Sequence, residues 1–283
     1  MATRNARILP GFGLSLGYAT FYLSLIVLIP LGGLAIKSAN LTFEQFWSTV
    51  TTPNVLQAYK LSFTAAAAAA VLNGFFGTIV AWTLVRYRFP GRKLFDSIID
   101  LPFAMPTAVA GLTFADLYGA IPLLARDHDA ETWLLWGLDG PDWIRTTIML
   151  TFVGLPYVIR SIQPVLQDWD IETEQAALSL GAGPSTIFRR LIMPEIYPAW
   201  LSGVALSFAR CVGEYGSIIF IASNIPGRSQ IAPQVIIDLI YDPVDAPTKI
   251  ARATAVGTVM LVISLAILVL INGLDWYSRR HQR

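Results

Sequence analysis

The chain has 283 residues, of which 54% are hydrophobic and only 14% charged, with 20 Lys and Arg against 19 Asp and Glu. A soluble domain carries about a quarter charged residues, so a solvated enzyme domain and a disordered chain are both excluded. The near-neutral balance lacks the strongly basic face of a nucleic-acid binder, and the single cysteine, Cys211, allows neither an internal disulfide nor a thiolate metal site.

Six windows reach the roughly 20 apolar residues that a bilayer-crossing helix needs. They run from about Ser15 to Ile36, Leu61 to Val85, Ile98 to Leu124, Trp143 to Val165, Ala199 to Ala222 and Thr254 to Leu274. Backbone polar groups in lipid must be paired within the segment, so each window is read as a helix. The expectation is an all-α polytopic membrane protein with six transmembrane helices, forming one domain over residues 1–283. Arg4 and Arg7 precede the first window, as in a signal peptide. Its apolar stretch exceeds the roughly 7–15 residues of a signal core, so it is read as a retained span. The second window holds the run Ala65 to Ala70, then Gly74 and Gly77, small residues that let helices approach closely. Pro102, Pro106 and Pro122 predict a broken third span. Such a break is tolerated where it is buried in protein or lines a cavity.

Basic residues set the direction. With the N-terminus inside, the internal segments hold Arg4, Arg7, Arg86, Arg88, Arg92, Lys93, Arg160, Arg189, Arg190, Arg279, Arg280 and Arg283. The external segments hold Lys37, Lys60, Arg126, Arg145, Arg228, Lys249 and Arg252. This excess predicts that both termini are cytoplasmic. The external stretch from Ala125 to Asp142 contains Asp127, Asp129, Glu131, Asp139 and Asp142 without calcium-loop spacing, and is read as a solvated loop. His128 and His281 are read as solvated surface residues.

The internal segment Gln167 to Pro198 is too helical to be only a connector. Asp168, Asp170, Glu172 and Glu174 open it, and acids favour the positive end of a helix dipole. Gln175 to Leu180 continues the helix, and Gly181 is placed to end it. Ser185 is read as the N-cap of a second helix that carries Arg189 and Arg190 and ends before Pro194. The resulting apolar tip and basic pair suit docking into a groove on a soluble partner. Gly181 to Thr186 is not a phosphate loop, because it has no lysine and Pro184 has no amide to offer.

In the fifth window Arg210 and Glu214 lie four residues apart on one helical face. Buried charges in a span need a partner or water. Two readings stand: a structural ion pair, or a pathway element in which Arg210 attracts an anion that Glu214 would repel. Thr107, Thr113, Ser207, Tyr215 and Ser217 are hydroxyls placed to offer weak contacts. Beyond the window, Pro226-Gly227 reads as a turn. Ile231 to Ile240 reads as a short apolar helix returning toward the membrane.

Gln175-Ala176-Ala177, Gly181, Leu191 and Met193-Pro194 resemble the cytoplasmic E-A-A motif of permease subunits of ATP-binding-cassette (ABC) importers, with its spacing intact. Gln175 stands where the family has its first Glu, although Glu174 is adjacent. The segment Leu101-Pro102-Phe103-Ala104-Met105-Pro106-Thr107 is similar to the third span of sulfate/thiosulfate importer permeases of the T type. Gly213-Glu214-Tyr215-Gly216-Ser217, Asn224-Ile225-Pro226-Gly227-Arg228 and Ile231-Ala232-Pro233 continue the likeness. Molybdate permeases share the Gly-Glu-aromatic-Gly and Asn-Ile-Pro-Gly-Arg elements.

The resemblance implies a type I ABC importer permease of the bacterial inner (plasma) membrane, non-catalytic in itself. By resemblance, residues 167–198 form the ATPase-coupling loop, with Glu174, Gln175, Ala176, Ala177, Leu180, Gly181, Arg189, Arg190 and Pro194 as coupling residues. Thr107, Arg210, Glu214, Tyr215, Ser217 and Asn224 are the pathway or gate candidates. The implied partners are a homologous second permease, two ATP-binding subunits holding ATP and Mg, and an extracytoplasmic sulfate/thiosulfate-binding protein. No cofactor or metal is expected on this chain. The alternatives are a molybdate or tungstate importer permease, or an ion-coupled secondary carrier.

Overall fold

The computed structural model describes residues 12–119, 134–135, 138–242 and 248–281. The expectations on Arg4, Arg7, Pro122, Arg126, Asp127, His128, Asp129, Glu131 and Arg283 lie outside these residues, as do the side chains of Asp139, Arg279, Arg280 and His281.

The chain runs through α1 (Phe12–Ser38), α2 (Phe43–Val50), α3 (Pro53–Arg86), α4 (Arg92–Ile99), α5 (Leu101–Ala104) and α6 (Thr107–Gly119). After the strands β1 (Leu134–Leu135) and β2 (Leu138–Asp139) come α7 (Gly140–Asp168), α8 (Ile171–Ser179) and α9 (Pro184–Ile187). A π-helical segment, Phe188–Ile192, leads into α10 (Met193–Val212), followed by α11 (Ile218–Ile221), α12 (Ala232–Tyr241) and α13 (Lys249–His281). Apart from the antiparallel two-residue strands, the described fold is helical. Among the described residues five helical runs are long and apolar enough to cross a membrane: α1, α3, α7, Pro184–Val212 and α13.

The third predicted span, Ile98 to Leu124, takes in the end of α4, then α5 and α6, and its residues 120–124 lie outside the described structure; none of these pieces alone is long enough to cross a membrane. Asp100 ends α4 and opens α5. Met105 turns extended, with ψ at 133°, because the residue before a proline is pushed out of the helical region. The fifth predicted span begins and ends earlier than expected. Its helix stops at Val212, with Gly213 as C-cap, and resumes only at Ile218. Pro194 explains the π-helical segment at the start of that span. It has no N–H to give to the carbonyl four residues back, and the ladder widens so that Met193 N–H bonds to Phe188 O instead.

The core lies where α3, α7 and α10 cross. Ala65, Ala66 and Ala69 are buried against Met149, Leu150, Phe208 and Cys211. Without a hydrophobic drive between helices in lipid, association rests on close packing of small residues. An added Cβ at Gly74 would meet Trp200 and Val204 at 3.1 Å, and one at Gly203 would meet Val158 Cα at 2.9 Å. Trp200 Nε1 donates to Gly74 O at 3.0 Å, closing the α3–α10 contact. α12 packs between α3 and α13 through Val55, Tyr59, Val235 and Val256. This is the short apolar helix expected over Ile231 to Ile240.

Candidate functional site

The two helix breaks meet. An added Cβ at Gly111 of α6 would lie 2.5 Å from Ser217 O, and one at Gly216 would collide with the Thr107 hydroxyl. Only glycine at both positions lets the unwound stretch 213–217 lie against the first turns of α6. This arrangement gathers Thr107, Arg210, Glu214, Tyr215 and Ser217 at one level of the bundle.

Glu214 is 2% exposed and fully occupied. Its Oε2 takes Arg210 Nη1 at 2.6 Å. Its Oε1 accepts from Ser217 N–H at 3.1 Å and from the Ser217 hydroxyl at 2.9 Å. Arg210 and Glu214 thus pair although the helix between them has ended. The carboxylate also closes the unwound turn, a role that sequence spacing did not reveal. Arg210 keeps 34% of its side chain exposed, so its outer face can attract an anion while Glu214 balances its charge. Tyr215 is half-buried against the apolar core.

Asn224 lies beyond α11, outside this group. It adopts φ +55°, a left-handed conformation that Asn tolerates. Its Nδ2 donates to Ile219 O at 2.9 Å and Ala222 O at 3.2 Å, which caps α11. Among the hydroxyl candidates, Thr113 bonds its own helix through Val109 O. Ser207 Oγ accepts from Asn73 Nδ2 at 3.0 Å inside the core.

The segment 167–198 forms a separate site at the other end of α10. Asp170 caps α8, its side chain accepting from Glu172 N–H at 2.9 Å. Gly181 takes φ +84°. Its N–H donates to Leu178 O at 2.9 Å, and Ala182 N–H reaches Ala177 O at 3.0 Å. These two bonds close the helix in the paired pattern that a left-handed C′ residue permits. The next helix is capped by Gly183, with Pro184 in its first turn and no side-chain bond. The expected Ser185 cap is therefore corrected by two positions: Pro184, which needs no partner for an N–H, takes the helix start.

The tip presents Leu180, 89% exposed, with Gln175, Ala176, Gly181, Arg189 and Arg190 also exposed. Glu174 and Ala177 turn inward. Glu174 pairs with Arg86 at the end of α3, and that guanidinium stacks over Trp82 at 4.9 Å. Ala177 packs on the apolar cluster that Leu84, Leu166, Ile187 and Ile192 form at this end of the bundle. Pro194 is half-buried in the first turn of α10.

Two ion-paired groups, one of them buried, escaped the sequence reading. Asp142, expected in a solvated loop, is 1% exposed. Its Oδ1 accepts from Arg145 Nη1 at 2.6 Å and its Oδ2 from Ser223 N–H at 3.1 Å. Toward α8, Arg160 Nε and Nη2 donate to Asp100 Oδ1 and Oδ2 at 2.9 and 2.6 Å, and Nη1 donates to Asp96 at 2.7 Å. The signal in each case was a charge inside an apolar window.

Among the described residues no three His, Cys, Asp or Glu side chains gather as a metal site. The arrangement is one of paired charges, packed breaks and an exposed tip around Leu180.

The family described as "Binding-protein-dependent transport system inner membrane component" matches residues 73–282. The chain is 41% identical over 279 residues to the sulfate transport system permease protein CysT of Salmonella typhimurium, covering 97% of this chain and 96% of that protein. It is 44% identical over 266 residues to the protein of the same name from Synechococcus elongatus, covering 92% and 90%. In fold it is similar to a chain of a bacterial ABC transporter that imports the acidic polysaccharide alginate, with TM-score 0.70, 16% identity and 95% of both chains covered. A chain of the MetNI methionine ABC transporter in an inward-facing conformation matches with TM-score 0.54 and 16% identity, covering 86% of this chain and 100% of that one.

Proposed function

The chain belongs to the family of binding-protein-dependent transport system inner membrane components, and from that premise we propose that it is the permease subunit of an ATP-driven sulfate importer. The observation that carries this reading is near-full-length identity of about 40% to sulfate permeases of several bacteria. The chain is a multi-pass membrane protein with a type I ABC importer permease fold, and a transport subunit rather than an enzyme.

The family requires a soluble ATPase and a binding protein as partners. In our reading the chain pairs with a homologous second permease and two ATP-binding subunits, which hold ATP and Mg. A sulfate/thiosulfate-binding protein delivers substrate from outside. Orientation follows the basic residues. Arg86, Arg88, Arg92, Lys93, Arg189 and Arg190 sit at the α8 end, which faces the cytoplasm together with both termini. The exposed Leu180 tip docks on the ATPase. Because Glu174 ties α8 to α3 through Arg86, movement of the tip is passed directly to the bundle.

The Gly213–Ser217 turn against α6 forms part of the pathway wall. Arg210 offers a compensated positive face, attractive to a dianion yet too weak to hold it. Thiosulfate, with the same charge, travels the same route. Selection between the two falls to the binding protein.

Radiolabelled sulfate uptake tests this reading in a bacterium deleted for the gene. Restoration by the wild-type gene only when the ATPase subunit is present supports it. ATPase-independent uptake would favour a secondary carrier. Molybdate uptake restored in place of sulfate would move the chain to the molybdate class.

A further inference from the structure

An apolar groove of about 370 Å³ opens between α3, the turn 87–91 and α4, lined by Ile79, Val80, Thr83, Phe89, Phe95 and Ile98 among others. It exists because α4 is held from its other side. Asp96 and Asp100 are tied to Arg160 of α7, which leaves the Phe95 and Ile98 face standing off α3. Phe89 and Phe95 meet edge-on at 5.9 Å and roof one end.

The rim at that end is cationic. Arg88 directly precedes Phe89 and is exposed. Arg92 stands three residues before Phe95 and seven before Ile99 in the first turn of α4, at the edge of its groove face. Neither arginine has a carboxylate partner among the described residues, although Arg86 nearby does. α4 also starts at Gly91 without a side-chain cap and without an acid in its first turn, leaving its positive end uncompensated.

We propose that this groove binds one anionic phospholipid, with an acyl chain between α3 and α4 and the phosphodiester at Arg88 and Arg92. The shape favours lipid over a protein helix. Helices dock in membranes through small residues, whereas these walls are branched and aromatic and suit a flexible chain. The charge favours an anionic headgroup, as basic pockets between membrane helices do. The site lies apart from the Glu214 turn and the α8 tip, and it does not depend on which anion is transported.

The test is native mass spectrometry of the full-length protein, with the subunits that co-purify, equilibrated with phosphatidylglycerol or with phosphatidylcholine of matched chains. The expected result is about tenfold or greater retention of phosphatidylglycerol, given roughly one unit of surface attraction per arginine. Arg88→Gln with Arg92→Gln should erase that preference, and Ile98→Trp, which fills the groove, should remove bound lipid of both kinds. Equal retention of the two lipids by the wild type overturns the proposal without any variant. So does a preference that survives the double substitution. Full competition by millimolar glycerol 1-phosphate would mean a free phosphate site and overturn it too. Cross-links from position 98 to a partner subunit instead of to lipid would assign the groove to protein.

Discussion

Asn73 Nδ2 donates to Ser207 Oγ at 3.0 Å across the crossing of α3 and α10, with Gly154 of α7 pressed against both. An added Cβ at Gly154 would overlap both side chains and lie 3.0 Å from Cys211 Sγ. Three helices therefore depend on one missing methyl group. Gly154→Ala should lower stability in detergent by about 1–3 kcal/mol, the usual cost of overpacking. Ser207→Ala should cost about 1 kcal/mol, typical of a single interhelical hydrogen bond in a membrane protein. Combining the two should recover part of the Gly154→Ala loss, because the colliding hydroxyl is gone. Thermal unfolding of the purified protein measures all three, and a Gly154→Ala midpoint equal to wild type contradicts the close packing.

Glu214 has two jobs that substitution can separate. Glu214→Gln keeps a carbonyl oxygen to accept from Ser217 but removes the charge that balances Arg210. Glu214→Ala removes both and leaves the buried Ser217 N–H without an acceptor, at about 1–3 kcal/mol. Membrane levels should therefore fall for Ala and stay near wild type for Gln. Sulfate uptake normalised to membrane protein should fall for Gln if the pair shapes the pathway. Unchanged uptake in the Gln variant would leave the pair a purely structural element.

Leu180 at 89% exposure contributes little to the fold of the loop it ends. Leu180→Asp should leave insertion and thermal stability unchanged, yet abolish sulfate uptake and sulfate-stimulated ATP hydrolysis. Gly181 is a useful control, because nothing lies within 4 Å of its absent side chain and its φ is +84°. Gly181→Asn, which tolerates that conformation, should retain more activity than Gly181→Glu, which strains the turn and charges the tip. Equal, full activity in Leu180→Asp would exclude the tip from coupling.

The parts of the molecule set by local sequence were legible. Asp170, the acids that follow it and Gly181 define α8 and its end without help from the rest of the chain. The prolines at 102 and 106 announced the broken third span, and the spacing of Arg210 and Glu214 offered their pairing as one of two readings. What sequence did not reveal depends on distant contacts. Glu174 turns inward because Arg86 meets it from 88 residues away. Asp142 is buried because Ser223, 81 residues on, offers its amide. The unwinding after Val212 requires Gly216 and Gly111 to receive Thr107 and Ser217, a packing match with no local signature.

Arg160 holds α4 and α5 against α7 with a fork that only arginine has. Two nitrogens engage Asp100 as a matched pair, at 2.9 and 2.6 Å, while Nη1 serves Asp96 and Gln163 at 2.7 and 2.5 Å. Lysine would keep the charge but cannot span both carboxylates in this plane. Arg160→Lys should therefore loosen the α4–α5 segment almost as much as Arg160→Gln does. Asp100→Asn should be more disruptive than Asp96→Asn, because Asp100 takes the bidentate contact. Arg160, Asp96 and Asp100 keep 31%, 40% and 46% of their side chains exposed, so the effect on global stability should stay at about 1 kcal/mol or below for each. The segment itself should report the change. Hydrogen exchange over residues 92–104 should rise in the order Asp96→Asn, Asp100→Asn, Arg160→Lys, while α3 and α10 stay protected. Equal protection in Arg160→Lys and wild type would show that packing, not the fork, fixes α4 and α5.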